Sequence, residues 1–206
     1  MPEILRHLTI ESYLDSLASR EPTPGGGAVV ALMGAQAAAL LSMSMRVTAK
    51  TDAAEQLSSD LDARRRQLTE LAEADAAAFA SVMLAYKLPA GDDDEAKLRR
   101  VQAIQDAFKA ATQVPLQVMN EIAALYDNGD AVAQVVKSTV ASDVGVAAQL
   151  IHAAIKSCRY NLWINLNYIQ DKQFKLDVQQ QAKRLLDTSK DRRDQIHRQI
   201  KALLKK

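Results

Sequence analysis

An all-α fold is predicted: a single-domain helical bundle of five to six helices around an apolar central helix. Three observations predict it. Glycine is scarce after Gly34, no stretch alternates β-branched with polar residues, and Ala, Leu, Gln, Lys, Arg and Glu dominate. No repeat or low-complexity linker divides the 206 residues, so one domain over 1–206 is expected, large enough to bury a core.

A short first helix is expected from Ile10 to Ala18, capped by Thr9. Glu21-Pro-Thr-Pro-Gly-Gly-Gly27 follows, with Pro22 and Pro24 stiffening the approach. Its three glycines free the backbone and leave no side chain to obstruct a ligand or a neighbouring helix. The central helix runs from Ala28 to Val47, and no charge occurs between Pro22 and Met45. That run is long enough to span a bilayer. Its Pro/Gly/Thr opening, its Gln36, Ser42 and Ser44, and its alanine-rich bulk predict a helix enclosed by protein instead.

A third helix spans Ala53 to Tyr86 and stops at Leu88-Pro-Ala-Gly91. Asp92, Asp93 and Asp94 offer carboxylates to the start of a fourth, which suits the helix dipole. It continues to Tyr126, kinked or restarted at Pro115, and ends at Asn128-Gly129. A fifth helix, apolar on most faces, covers Asp143 to Ile169 with Ser142 or Asp143 as its cap, and a charged sixth runs from Gln173 to the end. Two helices apolar nearly all round are enclosed more easily when a second subunit covers part of the surface, so an oligomer is expected.

Several function classes are excluded. The net charge of +1 implies no pull towards nucleic acid. Lys183, Arg184, Lys190, Arg192, Arg193, Arg198 and Lys201 are interrupted by Asp187, Asp191 and Asp194 at helix spacing, the pattern of an ion-paired solvent face. The lone Cys158 rules out an internal disulfide and suits a reducing cytoplasm. Met-Pro-Glu-Ile-Leu-Arg lacks the basic-then-apolar pattern of a signal peptide, so a cytoplasmic protein without a membrane partner is expected. His7, His152 and His197 are far apart and have no partners at ligand spacing, so no metal site is expected. Neither a Gly-x-Ser-x-Gly elbow nor a phosphate-binding Gly-Lys-Ser/Thr loop occurs. Cys158 reads as core, and Trp163 as a core or interface anchor.

Two places remain where chemistry could sit. A glycine turn feeding a helix presents unpaired N–H groups that suit an anion, or is simply a tight turn before a buried helix. Asp143 is the only acid between Asp130 and Asp171, and is either a helix cap or a functional carboxylate. Asn161 and Asn165 lie one turn apart and share a face with Asp143. Eighteen residues separate Asp143 from Asn161. At 1.5 Å per residue that is roughly 27 Å, too far for one site within one chain. The asparagines therefore bond to neighbouring helices or reach a site shared with a second subunit.

Five blocks in order carry a family resemblance: Pro22-Thr-Pro-Gly-Gly-Gly27, Asp75-Ala-Ala-Ala-Phe79 through Val82 to Pro89, Val114-Pro-Leu116, Ser142-Asp-Val-Gly-Val-Ala-Ala148, and Asn161 to Asn165. With them the chain resembles the formiminotransferase-cyclodeaminase C-terminal-like family, which includes stand-alone methenyltetrahydrofolate cyclohydrolases. The resemblance implies an all-helical homodimer and a folate site drawing on the glycine turn and the Ser-Asp helix start. The length is expected to leave no room for a formiminotransferase domain. Departures from the family pattern cluster in the expected ligand blocks: Ala28 stands where Ser is common, Arg46-Val-Thr-Ala-Lys-Thr-Asp52 replaces an Asn-Leu-Thr-x-Gly-Lys-Lys run, and Thr139 stands where Asn is usual.

The activity implied is hydrolysis of 5,10-methenyltetrahydrofolate to 10-formyltetrahydrofolate, with cyclodeamination of formiminotetrahydrofolate, or a non-catalytic folate-binding or structural homodimer, as alternatives. The amidinium carbon is already activated, so no cofactor beyond the tetrahydrofolate substrate and no metal are needed. On this resemblance Asp143 is the catalytic carboxylate. Ser142 and the turn Pro24, Gly25, Gly26, Gly27 orient the pterin or the glutamate tail, and Arg46 and Lys50 hold the tail in place of the family's lysine pair.

Overall fold

The computed structural model describes residues 5–90 and 93–205. Its helices are α1 (Ile10–Leu17), α2 (Gly26–Thr48), α3 (Asp52–Tyr86), α4 (Asp94–Val135), α5 (Ala141–Leu166) and α6 (Lys172–Leu204), with short 3-10 turns at Leu5–His7 and Ser138–Val140. No strand occurs among the described residues, so the all-α expectation holds.

Side-chain caps start four of the helices. Thr9, Thr51, Asp93 and Asp171 each accept a hydrogen bond from a backbone N–H of the first turn. Asp93 and Asp94 thus serve the fourth helix as expected, while Gly91 and Asp92 lie outside the described residues. For α5 the expected cap is replaced: Val140 holds the N-cap position without a side-chain bond, and Ser142 and Asp143 lie inside the first turn.

The expected stop at Asn128-Gly129 is also replaced, because α4 runs on through it as one helix of 42 residues, with no restart at Pro115. Tyr126, Val132 and Ala133 continue its buried stripe. That burial outweighs the roughly 1 kcal/mol by which an interior glycine disfavours a helix.

The central helix packs against α3, α4 and α5, while α6 covers α4 and α5. Gly34 permits a close approach in the core: a Cβ there would meet Ile122 Cγ1 at 2.5 Å and Leu68 Cδ1 at 3.1 Å. Both α3 and α5 run antiparallel to α2. Gly27 at the start of α2 abuts Asp75, whereas Ser42 near its end donates to Ser58 O at 3.3 Å. Asn161 lies against Gly26, whereas Lys137 N, just before α5, donates to Thr48 Oγ1 at 3.2 Å. On the far side, the Tyr126 hydroxyl donates to Ser189 O at 2.9 Å and His152 Nδ1 pairs with Ser189 Oγ at 2.9 Å, tying α4, α5 and α6. Cys158 is fully buried, as expected of a core residue, and Trp163 stands on the surface.

Candidate active site

The glycine turn opens into a cavity of about 600 Å³ between the starts of α2 and the facing parts of α3, α4 and α5. That is the size range of small-molecule sites. Gly25 is the N-cap of α2 and has no side chain to cap with. Val29 N donates to Gly25 O at 3.1 Å, so the N–H groups of Gly26, Gly27 and Ala28 lack partners within the helix.

The anionic group that meets this helix start belongs to the chain itself. Asp75 of α3 sets its carboxylate against Gly27, in space that any side chain at 27 would take. Burial pushes its pKa above the ordinary carboxylate range, opposed by a hydrogen bond from the backbone N–H of Ala28. Among the described residues, Asp75 is the only carboxylate lining the cavity, and no Lys, Arg or His lines it. The rest of the wall is apolar or aromatic. Phe79, Val82 and Met83 come from the turns of α3 beyond Asp75, and Tyr86, Phe108 and Tyr168 form an aromatic side. Phe108 stacks on Tyr168 with centroids 4.7 Å apart and meets Tyr86 edge-on at 6.0 Å. Asn161 and Asn165 bring carboxamides from α5.

The residues singled out from the sequence divide between the two ends of the bundle. Gly25, Gly26 and Gly27 line the cavity and Pro24 precedes them in the same turn. Arg46 and Lys50 border a separate shallow cleft at the opposite end of α2. There Arg46 Nη2 pairs with Asp62 Oδ2 at 2.7 Å and Nη1 donates to Ser42 Oγ at 2.8 Å. The Arg46 guanidinium accordingly holds the Asp62 carboxyl below its usual range. Ser142 borders a groove between α5 and α6, and Asp143, half-buried, lies in the same first turn of α5. One subunit therefore brings neither of them to the glycine turn.

Asp75 lies inside α3 and is not among the acids that stand out at helix ends, although the sequence carries a signal for it. Leu68, Ala72, Asp75, Phe79, Val82 and Tyr86 follow the alternating four- and three-residue spacing of one helix face. Leu68, Ala72 and Val82 on that face are buried. A carboxylate on an apolar stripe is the anomaly that marks a site. Among the described residues no group of His, Cys, Asp and Glu is arranged to hold a metal.

Comparison with known proteins gives a consistent picture. The family model for formiminotransferase-cyclodeaminase matches residues 9–184. A methenyltetrahydrofolate cyclohydrolase of Methylorubrum extorquens is 35% identical over 94% of this chain and 96% of its own length. The formimidoyltransferase-cyclodeaminase of Sus scrofa is 32% identical over 90% of this chain, which spans only 36% of that larger protein. The crystal structure of formiminotetrahydrofolate cyclodeaminase from Thermotoga maritima superposes with a TM-score of 0.80 at 29% identity, covering 98% of both chains. On the family match and on the likeness along nearly the whole length, the chain belongs to the formiminotransferase-cyclodeaminase family.

Proposed function

We propose that the chain is a folate one-carbon enzyme that hydrolyses 5,10-methenyltetrahydrofolate to 10-formyltetrahydrofolate, with Asp75 as its catalytic carboxylate. One observation carries this reading: a partly desolvated carboxylate, alone and with no cation beside it among the described residues, in a cavity walled by aromatic and apolar groups. Such a site favours a flat heteroaromatic ligand that bears positive charge, and the methenyl amidinium is one. The similarity to the Methylorubrum extorquens cyclohydrolase along nearly its full length points the same way.

In this mechanism the carboxylate faces the amidinium, and the bound cation favours its ionised form. Water adds to the bridging carbon while Asp75 takes one of its protons, giving a neutral tetrahedral adduct. The adduct opens as the bond from that carbon to N5 breaks, Asp75 returns its proton to N5, and the hydroxyl proton leaves as the formyl C=O forms. One proton is released overall. Raising the pKa of the carboxyl makes it the better base for the first step and keeps it a competent acid in the second.

A second reading is favoured by the Thermotoga maritima likeness. In cyclodeamination N10 attacks the formimino carbon and ammonia leaves, so the same Asp75 would protonate the departing nitrogen. Loss of the methenyl chromophore in a weakly buffering medium, against the spontaneous rate, tests the first reading; ammonia release from formiminotetrahydrofolate tests the second. Blanks in both, with folate binding intact, would leave a non-catalytic binder.

A homodimer belongs to this proposal. Gln36, Met43 and Val47 are exposed and Leu32, Met33 and Leu40 half-buried along the side of α2 that no other helix covers. Trp163 and Ile164, about half exposed on α5, add apolar surface that a second copy would bury. In such an assembly the Asp143 end of one subunit could approach the cavity of the other, the arrangement a catalytic or binding role for Asp143 and Ser142 requires. Sedimentation at twice the chain mass tests the dimer. The free, buried Cys158 suits a reducing, cytoplasmic setting.

A further inference from the structure

Pro115 has no N–H, so the carbonyl of Ala111, four residues earlier in α4, lacks the donor that a regular helix would give it. Asn165 of α5 supplies one, with Nδ2 donating to Ala111 O at 3.1 Å. A carbonyl only accepts, so the carboxamide must turn its nitrogen towards α4. The neighbouring Thr112 hydroxyl is committed elsewhere, donating to Phe108 O at 2.7 Å. What remains of Asn165 is the second hydrogen of Nδ2 and, as its one acceptor, Oδ1. That oxygen takes no donor from the described residues, is not sealed from solvent, and belongs to a residue lining the cavity.

The position of this acceptor is informative. Asn161 lies against Gly26, next to the Gly27–Asp75 contact. Asn165 is one turn of α5 further on, about 6 Å along the axis. A fixed acceptor therefore lines the same cavity as the carboxylate, one helical turn of α5 beyond the Asn161–Gly26 contact.

Building on the folate reading above, we propose that Asn165 is a specificity-determining residue. Its Oδ1, held in place by the carbonyl that Pro115 frees, accepts a hydrogen bond from the amino-bearing edge of the pterin, while Asp75 faces the one-carbon bridge. A ring without that donor leaves the acceptor dry and unpaired, and a site built to bond such a group rejects the analogue that lacks it.

The test is fluorescence titration with 5-formyltetrahydrofolate and with its analogue carrying methyl in place of the 2-amino group. The wild type is expected to bind the amino compound at least about 10-fold more tightly. Asn165→Ala is expected to lose most of that preference, whereas Thr112→Val, which removes a hydrogen bond inside α4 made by a side chain that does not line the cavity, keeps it. An Asn165→Ala protein that discriminates like the wild type, or a Thr112→Val protein that loses discrimination equally, overturns the assignment. A wild type that turns substrate over yet binds both compounds alike overturns the Asn165 role alone. A wild type that binds neither compound overturns the folate reading and this inference with it.

Discussion

The carboxylate of Asp75 occupies the space beside Gly27 that a side chain at that position would need. This contact joins the two features that define the cavity, the uncapped start of α2 and the one acid on an otherwise apolar face of α3.

Replacing Gly27 by Ala should therefore displace the carboxylate, although alanine is the better helix former. We expect kcat/KM to fall about 10-fold or more with helicity unchanged, since small displacements of a reacting group are costly. Gly26→Ala is the internal comparison: its Cβ would meet Asn161 Oδ1 at an ordinary 3.5 Å, and the loss should be clearly smaller. Steady-state kinetics and circular dichroism on the two variants decide the matter.

The pH profile should report the raised pKa of Asp75. Activity needs the ionised form, so it should fall on acidification through a pKa above the ordinary 3.8. Stability runs in the opposite sense. A carboxyl whose folded pKa is raised favours the protonated folded state, so its contribution is full below the unfolded pKa and is lost as pH rises through the folded one. Asp75→Asn should accordingly be at least as stable as the wild type at neutral pH, checked by thermal unfolding at several pH values.

Tyr126 and Ser189 make a buried bond that holds α6 to α4 far from the cavity. Burial raises the tyrosine pKa to about 12, so the hydroxyl remains a donor throughout the useful range. Tyr126→Phe should cost about 1–2 kcal/mol of stability while KM stays unchanged, as read by denaturant unfolding and kinetics.

Cys158 is sealed in the core and its thiol pKa is pushed up to about 12 by that burial. A thiolate reagent should label the folded protein negligibly and the unfolded protein fully, counted by mass spectrometry.

Most of the fold could be read from composition and capping residues, because local preference and burial agree along α2, α3 and α6. Where they disagree, tertiary contacts decide. Pro115 and Gly129 are helix breakers by local rule, yet α4 passes through both, with Asn165 supplying the donor that the Ala111 carbonyl loses to Pro115. The cavity was half legible. Its glycine turn is visible in sequence, but Asp75 is mid-helix, where an acid ordinarily faces water, and only the periodicity of its neighbours shows that it points inward. Asp143 drew attention as a rare acid at a helix start, and roughly 27 Å of helix separates it from the cavity residue Asn161 within one subunit.

The central claim is that Asp75 performs the chemistry, and turnover of methenyltetrahydrofolate by the wild type, Asp75→Asn and Asp143→Asn tests it most directly. The account predicts an enzyme-proportional loss of the methenyl chromophore that Asp75→Asn slows about 100-fold or more, the scale of a lost general base, with its fold intact. Full activity in Asp75→Asn, or abolition of activity in a folded, dimeric Asp143→Asn while Asp75→Asn stays active, would contradict it.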